Sequence, residues 1–130
     1  MLSFLLAFAM QMTGYPPPAQ IPRIDIHEQA WFERDCPRAH CSARMATIGN
    51  VIAVSSDQDM DRPATQALLV HELVHVLQNH AYGPATDCVE RTRREREAIM
   101  AQVLYLNRWK TTAHVNIAQV LKQYRCGDGG

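Results

Sequence analysis

Two histidines and a glutamate stand together in the segment His71-Glu72-Leu73-Val74-His75. Leu69-Val70 precede the segment and Val76-Leu77 follow it, so it reads as part of an apolar helix. On a helix, residues four apart stack on one face about one turn apart, and two imidazoles so placed can reach one metal ion. Glu72 adjoins the first imidazole and points to a neighbouring position. A carboxylate there can take a proton from water and pass it to a leaving group. Zinc suits this donor set, because it lowers the pKa of its water from near 16 to about 7. The bland alternative is a pair of surface histidines beside a solvated glutamate. Burying these groups in an apolar helix without such a role is costly.

A catalytic zinc normally takes three protein ligands and keeps one position open. The third should come from a following element. Glu90, Glu95 and Glu97 are candidates on the next helix, with His80 and Asp87 behind them. Glu97 shares a helix side with Ala101 and Leu104, and Glu95 shares one with Ala98, Ile99, Gln102 and Leu106. Periodicity does not separate the two.

The elements that must hold these residues are legible in outline. Ile21 to His27 is a strand candidate, with Pro22 placing it at an edge or a strand start. His27 is expected in a surface or packing role. Glu28 to Cys41 reads as irregular or partly helical, with Trp31 and Phe32 as core anchors. Met45–Ile48 and Val51–Val54 flank Gly49-Asn50, a hairpin signal. Asp57, Asp59 and Asp61 begin like a calcium loop, but Arg62 stands where Gly is needed and Leu68 where Glu is needed. A solvated loop with Asp61 capping the next helix, ahead of Pro63, is the better reading. A buried helix should run from Pro63 to about His80, until Tyr82-Gly83-Pro84 breaks it. A long helix follows from Thr86 or Asp87 to about Lys110, then a last one over Thr112 to Arg125. The expected fold class is α+β: a small antiparallel sheet or hairpin packed on an active-site helix and a second, glutamate-bearing helix.

The 130 residues make one domain the default, and Lys+Arg and Asp+Glu are both 13, which gives nucleic acid no support as a partner. Leu2 to Met10 is uncharged and apolar. It is too short to span a bilayer but suits an export signal. No Lys or Arg precedes Arg23, so the usual basic start is absent, and the alternative is an N-terminal helix packed on the core. The expectation is a signal and Pro-rich segment over residues 1–19 and a single domain over 20–130. The mature chain would be periplasmic or secreted and without a membrane span. Cys36, Cys41, Cys88 and Cys126 then read as two disulfides, Cys36 with Cys41 and Cys88 with Cys126. A structural zinc site at Cys36, His40 and Cys41 lacks a second ligand pair.

The His71-Glu72-Leu-Val-His75 segment, followed by a second helix bearing Glu and Ala, resembles the gluzincin group of zinc metallopeptidases, above all its minimal single-domain members. It also looks like small exported bacterial proteins whose active-site helix reads like Leu-Val-His-Glu-Leu-Val-His. The resemblance covers roughly Ile48 to Gln102. It implies a zincin-like fold, Zn2+ as cofactor, a peptide or protein substrate and Glu72 as general base and acid. It also implies Glu97 as the third ligand after His71 and His75. Many gluzincins carry Asp four residues after that Glu; here Ala101 stands there, and Gln102 or Asp87 would have to support the ligands instead. No third His lies at the metzincin spacing, since residue 81 is Ala. The Val51–Val54 strand would border the cleft and pair with an extended peptide. Tyr82, Tyr105, His114 and Tyr124 are available as oxyanion donors. The basic run Arg91 to Arg96 reads as a solvated helix face. The competing readings are a non-catalytic zinc-bearing module and a peptidase-like toxin whose cleft a partner completes.

Overall fold

The fold is described from a computed structural model, which covers residues 1–34, 44–109 and Ala118. Its elements are α1 (Leu2–Thr13), β1 (Arg23–His27), α2 (Gln29–Arg34), β2 (Met45–Ile48), β3 (Val51–Ser55), α3 (Pro63–Tyr82) and α4 (Cys88–Arg108). The protein is α+β, with four helices and a small mixed sheet among the described residues.

β3 is the strand most deeply enclosed, with Ile52, Ala53, Val54 and Ser55 all buried. A strand shielded on both faces needs neighbours at both edges to pair its backbone, and it has them in the order β1-β3-β2. β2 returns antiparallel through the Gly49-Asn50 turn, where Gly49 takes φ +63°. The expected hairpin is therefore present. The sheet as a whole is not antiparallel, because β1 pairs parallel to β3, from Arg23 opposite Val51 to His27 opposite Ser55. The chain between β1 and β3 includes α2 and β2, which is long enough to make that parallel return. His27 stacks on Trp31 at 3.9 Å, so its role is packing. Phe32 is buried.

α3 runs through the middle of the molecule. Leu69, Val70, Leu73, Val74, Val76 and Leu77 are all nearly inaccessible, because the sheet, α1 and α4 pack around it. Its start differs from expectation. Arg62, not Asp61, is the N-cap residue and no side chain caps the helix; Pro63 begins it, and the Asp61 N–H donates instead to Asp59. α4 begins as expected, with Asp87 Oδ1 accepting the Glu90 N–H at 2.8 Å. The basic run is not uniformly solvated. Arg94 is buried, donating to Glu90 at 2.8 Å and to the Gly83 carbonyl at 2.7 Å, which ties the start of α4 to the end of α3.

The apolar segment expected as an export signal is a core helix in this structure. Leu5, Phe8 and Ala9 are buried against α3 and α4, and the Phe8 ring meets Tyr105 edge-on at 5.3 Å. The physical reason is area: α3 and α4 present apolar surface on the side away from the sheet, and α1 covers it. No described helix is long and apolar enough to cross a membrane. Cys88 is disulfide-bonded. Cys36, Cys41 and Cys126, and with them both expected pairings, lie outside the described residues, as does all but Ala118 of the helix expected over Thr112 to Arg125.

Two outcomes follow. Phe8→Ala should cost about 3–5 kcal/mol in urea denaturation, as for other buried aromatic truncations; a loss near zero would detach α1 from the core. Arg93 and Arg94 hydrogen-bond Glu90 and hold its carboxyl at about 2, against 4.5 ordinarily. A depressed folded pKa gives stability that is present above about 4.5 and lost as pH falls towards about 2. The melting-temperature gap between wild type and Glu90→Gln should therefore be open at neutral pH and close across that window.

Candidate metal centre

The helical register of α3 puts His71 and His75 on the side facing α4, and their Nε2 atoms lie 3.2 Å apart. Across the helix pair, Glu95 Oε1 is 3.4 Å from His71 Nε2 and closer still to His75 Nε2. Two ligands of a tetrahedral zinc at about 2.0–2.1 Å stand roughly 3.3 Å apart; the separations from His71 Nε2 are near that spacing, while Glu95 sits against His75 Nε2 in direct contact. His71, His75 and Glu95 form a group able to hold a metal ion.

The orientation of the rings fits the same purpose. His71 Nδ1 is 2.9 Å from Gln102 Oε1, and His75 Nδ1 is 2.8 Å from Gln78 Oε1. An amide oxygen only accepts, so each Nδ1 carries the hydrogen. With a metal ion in place, each neutral ring would turn the lone pair of Nε2 towards it, the arrangement by which outer partners prepare histidines for a metal. Gln102 lies two turns after Glu95 on α4, so one face of that helix supplies both the carboxylate and the His71 support. With no cation between them, Glu95 and the imidazoles compensate one another. Burial works against charge on His75, but hydrogen bonding and attraction from Glu95, with attraction from Glu72, raise its pKa. Burial likewise pushes the Glu95 carboxyl up, yet the two imidazoles outweigh it and hold the group well below the carboxylate range.

Glu97, implied as the third ligand by the gluzincin resemblance, is not in this group. Its Oε1 accepts the Tyr15 hydroxyl at 2.6 Å and Gln78 Nε2 at 2.9 Å. Two residues along a helix is a turn of about 200°, so Glu95 and Glu97 cannot both face the histidines. The other candidates are also engaged elsewhere. Glu90 pairs with Arg93 and Arg94, Asp87 caps α4, and His80 is exposed.

Glu72 is buried beside His71, with Oε2 3.8 Å from His71 Nε2. Its Oε1 accepts from Thr47 Oγ1 at 2.9 Å, and the same hydroxyl lies 3.0 Å from the Glu72 carbonyl. The strand next to the site is thus β2. The expected cleft strand, Val51–Val54, is central and paired on both sides; among the described residues β2 has the free edge on this side. Thr47, Tyr15 and the Gln78 contact carried no recognisable motif. Gln78 stands one turn after His75 on the same helix side, a position that reads either as lining the cleft or as part of the polar side. Of the expected oxyanion donors, Tyr105 is buried and bonded to Gln66, and Tyr82 packs against Tyr15 and two arginines. His114 and Tyr124 lie outside the described residues. A groove of about 390 Å³ lies between α1 and α4, lined by Met12, Thr13, Arg96 and Glu97 among others, and does not include the histidines.

The α+β frame, with a histidine-bearing helix faced by a glutamate-bearing one, defines a small domain with a side-chain group able to hold a metal ion. Residues 19–83, half of the chain, match the eCIS core domain family, and the protein belongs to that family. The matched segment holds the sheet, His71, Glu72, His75 and Gln78, whereas Glu95, Gln102 and Tyr15 stand outside it. No curated protein and no solved structure matches the chain.

Elemental analysis should find about one zinc per wild-type chain after loading, and little in His75→Ala or Glu95→Ala. Gln102→Ala should keep the zinc with an affinity roughly 10–100-fold weaker. Full zinc in Glu95→Ala would show that the ligand set has been misassigned.

Proposed function

We propose that the protein is a zinc-dependent peptidase. The observation that carries this reading is the placement of Glu72. It is buried beside the paired imidazoles, with one oxygen occupied by Thr47 and the other turned towards His71. A site that merely binds a cation has no need of a second, non-ligating carboxylate at that point. Bound by His71, His75 and Glu95, zinc would polarise a carbonyl and acidify water at neutral pH.

The protein's own groups divide the remaining work. Glu95 and the two Nε2 atoms would hold the ion, and Gln102 and Gln78 keep the rings turned. Thr47 fixes one oxygen of Glu72, so Oε2 is the atom that takes a proton from water and returns it to the departing amine. The free edge of β2 lies beside that carboxylate. An extended peptide can pair with its backbone there, in the manner of strand addition.

The family name refers to extracellular contractile injection systems. We infer that the chain acts in company with such an assembly and outside the cytoplasm, on a peptide or on a protein partner of that assembly. A second reading, a zinc-bearing module that binds without cleaving, is favoured by the shortness of β2, whose four residues form little wall for a long substrate.

Glu72→Gln separates the two. It should retain zinc and fold while losing peptide hydrolysis by at least about 100-fold, the scale of a general acid–base contribution. Wild-type activity in a zinc-loaded Glu72→Gln protein would sink the peptidase reading. A loaded wild type that binds peptides and cleaves none would favour the binding module.

A further inference from the structure

Both outer edges of the sheet are free among the described residues, because the strand order is β1-β3-β2. The β2 edge adjoins Glu72, whereas the β1 edge takes no part in that site. In the parallel β1–β3 pair, the Arg23 N–H donates to the Asn50 carbonyl at 3.1 Å. At the other end, the Ser56 N–H donates to the His27 carbonyl at 2.8 Å. Every second residue of such a ladder turns its main-chain groups to the neighbouring strand. Arg23, Asp25 and His27 therefore face β3, and the main-chain groups of Ile24 and Ile26 point out of the sheet edge.

The side chains along this edge sharpen the point. Ile24 and Ile26 share the sheet face of Ile52 and Val54, their partners in the ladder. Val54 is buried, yet Ile26 is 61% exposed, and Ile21 just before the strand is 74% exposed. On the opposite face Arg23 donates to Asp25 twice, at 3.0 and 3.2 Å, and both side chains reach solvent. An open edge bearing isoleucines is a template for another strand.

The order of the charges says which strand. Run antiparallel to itself about Ile24, β1 sets Arg23 of each copy opposite Asp25 of the other. Opposite charges directly across an antiparallel pair attract, and like charges there are destabilising. The neighbouring register, centred on Asp25, would set two carboxylates face to face. The register about Ile24 also lets each Ile24 N–H donate to the Ile24 carbonyl of the other copy. It brings Ile26 diagonal to Ile24 of the second copy, so four isoleucines meet on one face. On the other face Ile21 comes opposite His27, whose ring is stacked on Trp31.

We propose that the protein associates with a second copy of itself through β1, the two strands running antiparallel about Ile24. The contact uses the same patch on both copies, so it closes at two. The joined sheet has the order β2-β3-β1-β1-β3-β2. Both β2 edges stay free at its outer ends, and each copy keeps its own candidate metal centre. Association needs neither a metal nor peptidase activity. One short strand edge buries less than the roughly 800 Å² per partner of a standard interface, so the dimer is reversible, with a Kd of about 10–100 μM.

Sedimentation of the full chain tests this. Wild type should pass from monomer to dimer between about 1 μM and 1 mM. Asp25→Arg and Arg23→Asp should each weaken the dimer by about tenfold or more, because each sets like charges opposite one another in both halves of the contact. An equimolar mixture of the two variants should restore it, since two cations on one chain then face two carboxylates on the other. A dimer that survives both single variants, or a mixture that stays monomeric, overturns the proposal. Should a variant fail to fold, amide exchange in wild type decides. The Ile24 N–H should exchange more slowly as protein concentration rises, while the Asp25 N–H, which faces β3, should not respond. Dimerisation without added protection at Ile24 overturns the proposal by moving the contact to another surface. A wild type still monomeric at about 1 mM overturns it too, and would reserve the edge for a strand of another protein.

Discussion

Two imidazoles and three glutamates are brought together where α3 meets α4, and a protein interior tolerates such groups only when each polar atom has a partner. Among the described residues no buried side-chain nitrogen or oxygen is left without one. The rest of the arrangement follows from meeting that demand. Gln102 and Gln78 take the inner ring nitrogens, Thr47 takes one oxygen of Glu72, and Tyr15 with Gln78 takes Glu97. His71 Nε2, His75 Nε2 and the Glu95 carboxylate face one another, a group able to hold a metal ion.

The apolar packing serves this polar seam. α3 is surrounded by the sheet, α1 and α4, which fixes its rotation and hence the direction of His71 and His75. Arg94 locks the start of α4 to the end of α3 through the Gly83 carbonyl, and so sets the height at which Glu95 meets the histidines. A slip of one residue along α4 would rotate its face by about 100° and carry Glu95 away from them. α1 completes the enclosure and delivers Tyr15 at its end. The family match covers the sheet and α3, the half that holds the histidines and Glu72. Glu95, Gln102 and Tyr15 lie outside it. The candidate cation site thus draws on residues inside and outside the matched segment.

His71, Glu72 and His75 were legible as a site because their chemistry is local: three residues within five positions, on one helix whose period is known. The hairpin at Gly49-Asn50 and the start of the long helix near Asp87 were legible for the same reason, since turn and helix-start signals depend on nearest neighbours. Each of these signals is contained within one element. The same locality explains the misplaced cap at the start of α3, where Asp61 resembled a cap but Arg62 took the position. Adjacent polar residues there offered the backbone more than one arrangement.

Whatever required two elements to meet was settled only by tertiary structure. Glu95 and Glu97 each lie on a partly apolar face of α4, because that helix packs against α3 on one side and α1 on the other. Periodicity reports that both faces are covered, but not by what. The parallel pairing of β1, the free edge of β2 and the contact of Thr47 with Glu72 share that origin, since strand order is a matter of non-local pairing. So does the fate of the apolar N-terminus, because a short uncharged helix suits an export signal and a core equally well. The sequence by itself determined that two histidines and a glutamate share one buried helix. The docking of α4 and α1 decided which carboxylate faces them and which one pairs with Tyr15 and Gln78 instead, because helix rotation is set by contacts that no single segment contains.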